Sequence, residues 1–158
     1  MLKFVYSFFL GLLLVIFVGM GVATFYESPK APEYPRVLQT DPGKFTAEEK
    51  KIDKEYQKKN EQYLEHAKHY NRNVAMIVLA AAVVLMVLGL TLHTKIDALA
   101  DGLLLGGTFT LLYSIGRSFA SEDPKYSFVV VTTGLIVTMI VGYLKFIKPQ
   151  PALSKKKK

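Results

Sequence analysis

Long uncharged apolar runs, set apart by densely charged stretches, constrain this chain more than any other feature of its sequence. A helix that crosses a bilayer needs about 20 mostly apolar residues, because each residue rises about 1.5 Å through roughly 30 Å of hydrocarbon. Phe4 to Phe25, Val74 to Leu92 and Ser127 to Leu144 meet that demand without a charge. A fourth block, Ala98 to Ala120, is interrupted near its ends by Asp101 and Arg117. Three spans would leave the N-terminus and the Lys-rich C-terminus on opposite sides, whereas a fourth lets both basic ends share the cytoplasm. The expectation is an all-α membrane protein, a four-helix transmembrane bundle with a projecting extramembrane helix and a Pro-rich extended segment. Its parts are a first span at 1–26, an extramembrane region at 27–72, spans at 73–92, 96–120 and 124–147, and a basic tail at 148–158.

The first span, with Lys3 before an apolar run longer than a signal peptide's core, reads as an uncleaved signal anchor. Charge elsewhere sharpens the class. The formal net charge of +7 owes most of its excess to Lys145, Lys148 and Lys155 to Lys158, directly after the last span. That placement favours anionic lipid at the membrane surface as the partner, not nucleic acid. Loops 27–72 carry ten basic and nine acidic residues, so the tail decides orientation: both termini cytoplasmic, in a membrane read as a prokaryotic inner membrane. Four terminal lysines also match a dilysine retrieval signal, a weak pattern.

The region 27–72 divides in two. Pro29, Pro32, Pro35 and Pro42 favour an extended polyproline-like strand. Thr46 with Glu49 forms a capping-box pattern, after which neither Gly nor Pro occurs before Gly89. The spacing predicts one helix from about Ala47 to Leu92, near 69 Å long, with Asn71 and Asn73 as its weakest point. Ile52, Tyr56, Tyr63 and Tyr70 recur at steps of four and seven, an aromatic stripe on a charged helix. The Pro-rich segment is long enough to cover it, with Tyr34, Val37 and Leu38 packing on the tyrosines; a coiled-coil partner would have to accommodate Lys59, His66 and Asn73.

Small residues recur every fourth position within the spans: Ser7, Gly11, Gly19 and Ala23 in the first, interrupted only by Val15; Gly102, Gly106, Thr110, Ser114 and Ser118 in the third; and Gly134, Thr138 and Gly142 in the fourth. Such ridges let helix backbones approach closely, which makes the third helix the expected centre. Thr94 with Asp97, and Asp123 with Pro124, read as caps for the third and fourth helices, and short loops predict that helices two, three and four pack as antiparallel neighbours.

Chemistry is sparse. Without cysteine there is no thiolate nucleophile or thiolate metal site. His66 and His69 supply only two imidazoles, and no phosphate loop or nucleophile elbow occurs, so neither catalysis, a cofactor nor a metal is expected. Asp101, Thr110 and Arg117 could mark an ion or proton path, because charge within a span is expensive; Asp101 and Arg117 also stand where they complement the helix dipole. The functional expectation is a structural or accessory subunit that assembles, with itself or another protein, through its small-residue ridges and projecting helix. The alternative is a subunit of a small oligomeric channel or transporter with the third helix lining the path.

Overall fold

In the computed structural model, which describes residues 1–36, 46–93 and 96–147, four helices run Leu2–Phe25 (α1), Ala47–Leu92 (α2), Asp97–Phe119 (α3) and Pro124–Gly142 (α4). A five-residue π-helical turn, Tyr143–Ile147, extends α4. Among the described residues there is no strand. All four helices are long and apolar enough to cross a membrane. Phe4, Phe17, Phe25, Phe128 and Phe146 are 70%, 75%, 90%, 72% and 80% exposed, an apolar surface of the kind that meets a membrane or a protein partner.

Helix starts follow from local chemistry. Thr46 and Glu49 form the reciprocal capping box at α2, the Thr46 amide and hydroxyl donating to the Glu49 carboxylate at 2.7 and 2.9 Å. These hydrogen bonds, the backbone one foremost, hold the Glu49 carboxyl below its ordinary pKa. Asp123 caps α4 by accepting from the Lys125 and Tyr126 amides, with Pro124 in the first turn. The cap expected from Thr94 lies outside the described residues; α3 begins after Ile96, which supplies no side-chain cap. Between α3 and α4 the chain turns through Glu122, at φ 54°. That left-handed conformation is unusual for a residue with a Cβ, and it is held by the Ser118 carbonyl, which accepts from the Ser121 amide and from the Ser121 and Ser127 hydroxyls.

The third helix is the centre. Nine of its residues are buried, against three each in α1 and α4. Packing on α1 is parallel: a Cβ added to Gly11 would stand 3.0 Å from the Gly106 amide nitrogen, and one on Gly102 or Gly106 would strike Leu10 or Leu14. Packing on α2 is antiparallel, with Gly107 against Met86 and the Ala82 carbonyl, and Gly89 against Leu104. The adjacent glycines Gly106 and Gly107 thus serve opposite faces of one helix. Hydroxyls reinforce both seams: Ser7 donates to the Ala98 carbonyl at 2.8 Å and Ser114 to the Ala75 carbonyl at 2.8 Å.

Helix α2 runs unbroken from Ala47 to Leu92, as the spacing predicts, and Asn71 and Asn73, its expected weakest point, bond sideways: Asn71 donates to the Ala120 carbonyl at 3.2 Å, and Asn73 to the Tyr26 hydroxyl at 2.8 Å. Two expectations need correction. The ridge on α1 is only half used; Gly19 has just Tyr113 nearby, at 3.9 Å, while Val22 takes the buried place beside Val74 and Val78. On α4, Gly134 meets Leu111, but among the described residues a Cβ on Gly142 would meet nothing within 4 Å, so Gly142 is no packing point between these helices. Helices two, three and four are consecutive antiparallel neighbours, yet α1 packs more closely on α3 than α4 does.

The seam can be tested by size. Gly11→Val should destabilise the bundle by about 1–3 kcal/mol, because the clash is with backbone and cannot be relieved by a rotamer change. Gly21→Val, where a Cβ meets open space, should change little; unfolding in mixed micelles reads both. The capping box gives a pH test. Because the Glu49 pKa is lowered on folding, its contribution is present above the unfolded pKa and disappears as pH falls through the folded value. The amides of Thr46, Glu49 and Lys50, which the capping box and the first turn hydrogen-bond, should therefore lose hydrogen-exchange protection at acid pH, a change that Thr46→Ala, by removing the hydroxyl donor, should shift toward higher pH.

Candidate functional site

Polar groups gather at the two ends of α3, and each end engages residues that sequence spacing alone did not pair. Asp101, one turn into α3, forms an ion pair with Lys145 from the π-helical turn after α4. The Lys145 side chain is 17% exposed and that of Asp101 45%, so the lysine is the more dependent partner. A π-turn is rare and frequently marks a functional position; here it carries Lys145, which lies 5.7 Å from the centre of the Phe146 ring.

At the opposite end Arg117 is held by uncharged groups. Its Nη1 donates to Asn71 Oδ1 at 2.8 Å and its Nε to the Tyr113 hydroxyl at 3.1 Å, while the guanidinium lies 5.8 Å from the centre of the Tyr70 ring and 5.5 Å from that of Tyr113. Tyr70 in turn stacks on Tyr26 with centroids 5.2 Å apart and donates to its carbonyl at 3.3 Å. Tyr126 of α4 donates to the Arg72 carbonyl at 2.7 Å. All four helices therefore meet in one belt where α2 leaves the bundle. A cation over an aromatic ring contributes about 0.5–2 kcal/mol depending on desolvation. The exposed Lys68–Glu122 pair at 2.8 Å, of the kind that contributes roughly 0–1 kcal/mol, is the smaller part of this joint.

Above the belt the Pro-rich segment lies along α2. Tyr26 is against Tyr70, Pro29 and Pro32 border a shallow cavity with Tyr63 and His66, and the Tyr34 ring meets Tyr56 edge-on at 5.1 Å. The lengths agree: eight extended residues from Tyr26 to Tyr34 cover about 25 Å, and the fourteen helical residues from Tyr70 back to Tyr56 about 21 Å. Val37 and Leu38, expected to join this contact, lie outside the described residues.

The residues proposed for a path are placed differently from one another. Thr110 is fully buried, and its hydroxyl donates to the Gly106 carbonyl of its own helix at 2.7 Å. Asp101 and Arg117 stand at opposite ends of α3, joined to Lys145 and Asn71. His66 and His69 are not gathered with a third ligand; His69 Nδ1 is 3.4 Å from Arg72, and no trio of metal-binding side chains occurs among the described residues. Sequence reading missed Lys145 as the partner of Asp101, although the antiparallel register of α3 and α4 carries the signal. It also missed Asn71, Tyr113 and Gly107.

No family model, curated protein or solved structure matches the chain.

A double-mutant cycle tests the ion pair. Lys145→Met would leave Asp101 without its cation, and Asp101→Asn would leave the more buried Lys145 without its anion, so each should destabilise by about 1–3 kcal/mol, the second more than the first. The double variant should recover much of that loss in mixed-micelle unfolding.

Proposed function

We propose that this chain is a multi-pass integral membrane protein of the structural or accessory kind, a transmembrane bundle built to hold a helical arm at a fixed attitude outside the membrane for a protein partner. The observation that carries the reading is the unbroken helix of 46 residues, Ala47–Leu92. About 25 of those residues precede the apolar part, an arm of roughly 37 Å, and the Arg117 belt clamps its base to the other three helices. The Pro-rich segment covers the tyrosine side, while Lys54, Lys58, Glu61, Glu65 and Lys68 are exposed at helical spacing on the other. That charged face is the surface offered to a partner.

The packing of α3 supports this reading over a channel. Hydroxyls of Thr108, Thr110, Ser114 and Ser118 all donate to backbone carbonyls within the molecule, and Thr110, Ser114 and Ser118 are fully buried, as suits a packing row better than the wall of a water-filled path. Gly11, Gly102, Gly106 and Gly134 of the ridges serve internal contacts, and this reading gives the assembly to the arm. In this reading both termini are cytoplasmic, the tail meets anionic lipid, and the arm is outside; no catalytic role is assigned.

Native mass spectrometry of the gently solubilised protein tests the proposal. The expected species contains a foreign subunit or a second copy, and Lys54→Glu with Lys58→Glu should dissociate most of it while leaving the thermal unfolding of the bundle unchanged. A monomer that by itself conducts ions in a planar bilayer would overturn the accessory reading.

A further inference from the structure

On the end of the bundle that carries Met1 and Lys145, α1 and α4 stand apart on either side of α3 and leave a groove of about 650 Å³. That volume lies within the range of ligand sites, about 300–1,000 Å³. Leu104 and Leu105 form its floor, Phe4 one wall, and Val141 and Phe146 the other. Gly142 also lines it, which gives a use to the residue whose Cβ would meet nothing within 4 Å among the described residues. Thr108 and Thr138 border the groove too, but their hydroxyls donate to the Leu104 and Gly134 carbonyls at 2.9 Å each. Neither needs water there, and the interior is suited to hydrocarbon.

The mouth is charged. Lys3 and Lys145 face the groove with Asp101, a net excess of one positive charge. An ammonium has three donors; Asp101 takes one from Lys145, and among the described residues no carboxylate pairs with Lys3. From Asp101 to Thr108 the groove follows α3 for about 10 Å, so its charged mouth lies at headgroup level and its apolar length within the leaflet. A basic pocket between transmembrane helices of this form recognises anionic lipid. A partner's apolar helix in the same place would leave the lysine donors facing hydrocarbon.

We infer that the groove between α1 and α4 is a binding site for one anionic phospholipid, its phosphate held by Lys3 and Lys145 and an acyl chain lying over Leu104, Leu105 and Gly142. The π-helical turn brings Lys145 to the site, and Asp101 keeps it there. The site rests on the membrane reading of the chain but is independent of the arm and its partner.

The test is native mass spectrometry of the full chain, delipidated in detergent and titrated with phosphatidylglycerol or phosphatidylcholine. One phosphatidylglycerol per chain should be retained in preference to phosphatidylcholine. Lys3→Gln and Lys145→Gln should each weaken that retention about five-fold, and Asp101→Asn with Lys145→Gln should do the same without an unpaired carboxylate. Gly142→Leu, which fills open space, should weaken retention of either lipid without lowering stability. Equal retention of the two lipids, indifference to Gly142→Leu, or loss only when Lys155 to Lys158 are replaced by Gln would overturn the site. A protein adduct in place of retained lipid would do so as well. Resistance to alkaline extraction from membranes, measured on the same protein, separates failure of this site from failure of the membrane reading.

Discussion

Close approach of helix backbones at α3 is the condition on which the other contacts depend. Within hydrocarbon there is no hydrophobic drive to bring two apolar helices together, so association rests on van der Waals packing and on hydrogen bonds across the contact. Gly102 and Gly106 open one face to α1, and Gly107 opens the other to α2. Only at that separation can the short side chain of Ser7 reach the Ala98 carbonyl, or that of Ser114 reach Ala75. Such bonds contribute roughly 0.6 kcal/mol each in a membrane; their larger effect is to set register, because a slip by one residue would remove both. Helix α4 has less of this. It is attached by Ser127 to Ser118 at one end, by Lys145 to Asp101 at the other, and by Gly134 against Leu111 between them.

The looseness of α4 and the firmness of α1 and α2 divide the molecule into different mechanical parts. Helices α1, α2 and α3 pack firmly, the Arg117 belt fixes the N-terminal part of α2 to them, and rings from the end of α1, from α2 and from α3 converge there. The belt is an arrangement of one cation, tyrosines and asparagine amides, which suits a depth where apolar and wet environments meet. At the other end α4 leans away from α1, and the space between them is where the charge pair stands.

Helices and their order could be read from the sequence because length and charge segregation decide them directly. The capping box at Thr46 and the Asp123–Pro124 start were readable for the same reason: each is a local arrangement whose partners lie within four residues. What sequence could not supply was the rotation of each helix about its axis. Gly19 and Gly142 share the spacing of Gly11 and Gly134 yet meet little or nothing, because a straight helix drifts out of a four-residue ridge within a few turns. Asn71 and Asn73 looked like breakers because an isolated Asn competes for the backbone; partners 47 to 49 residues away, Tyr26 and Ala120, turned them into braces. The Asp101–Lys145 pair, 44 residues apart, required knowing which ends of α3 and α4 are neighbours.

The parallel packing of α1 on α3 sets a timetable for synthesis. Gly11 leaves the ribosome 95 residues before Gly106, an interval on the order of ten seconds at about 5–20 residues per second. During that interval α1 has α2 as its only native neighbour, and that contact is confined to the Val22, Val74 and Val78 end. The glycine face of α1 stays open to any other small-residue helix nearby until α3 arrives. For this chain, correct assembly is a contest between the speed of translation and the company α1 keeps while it waits.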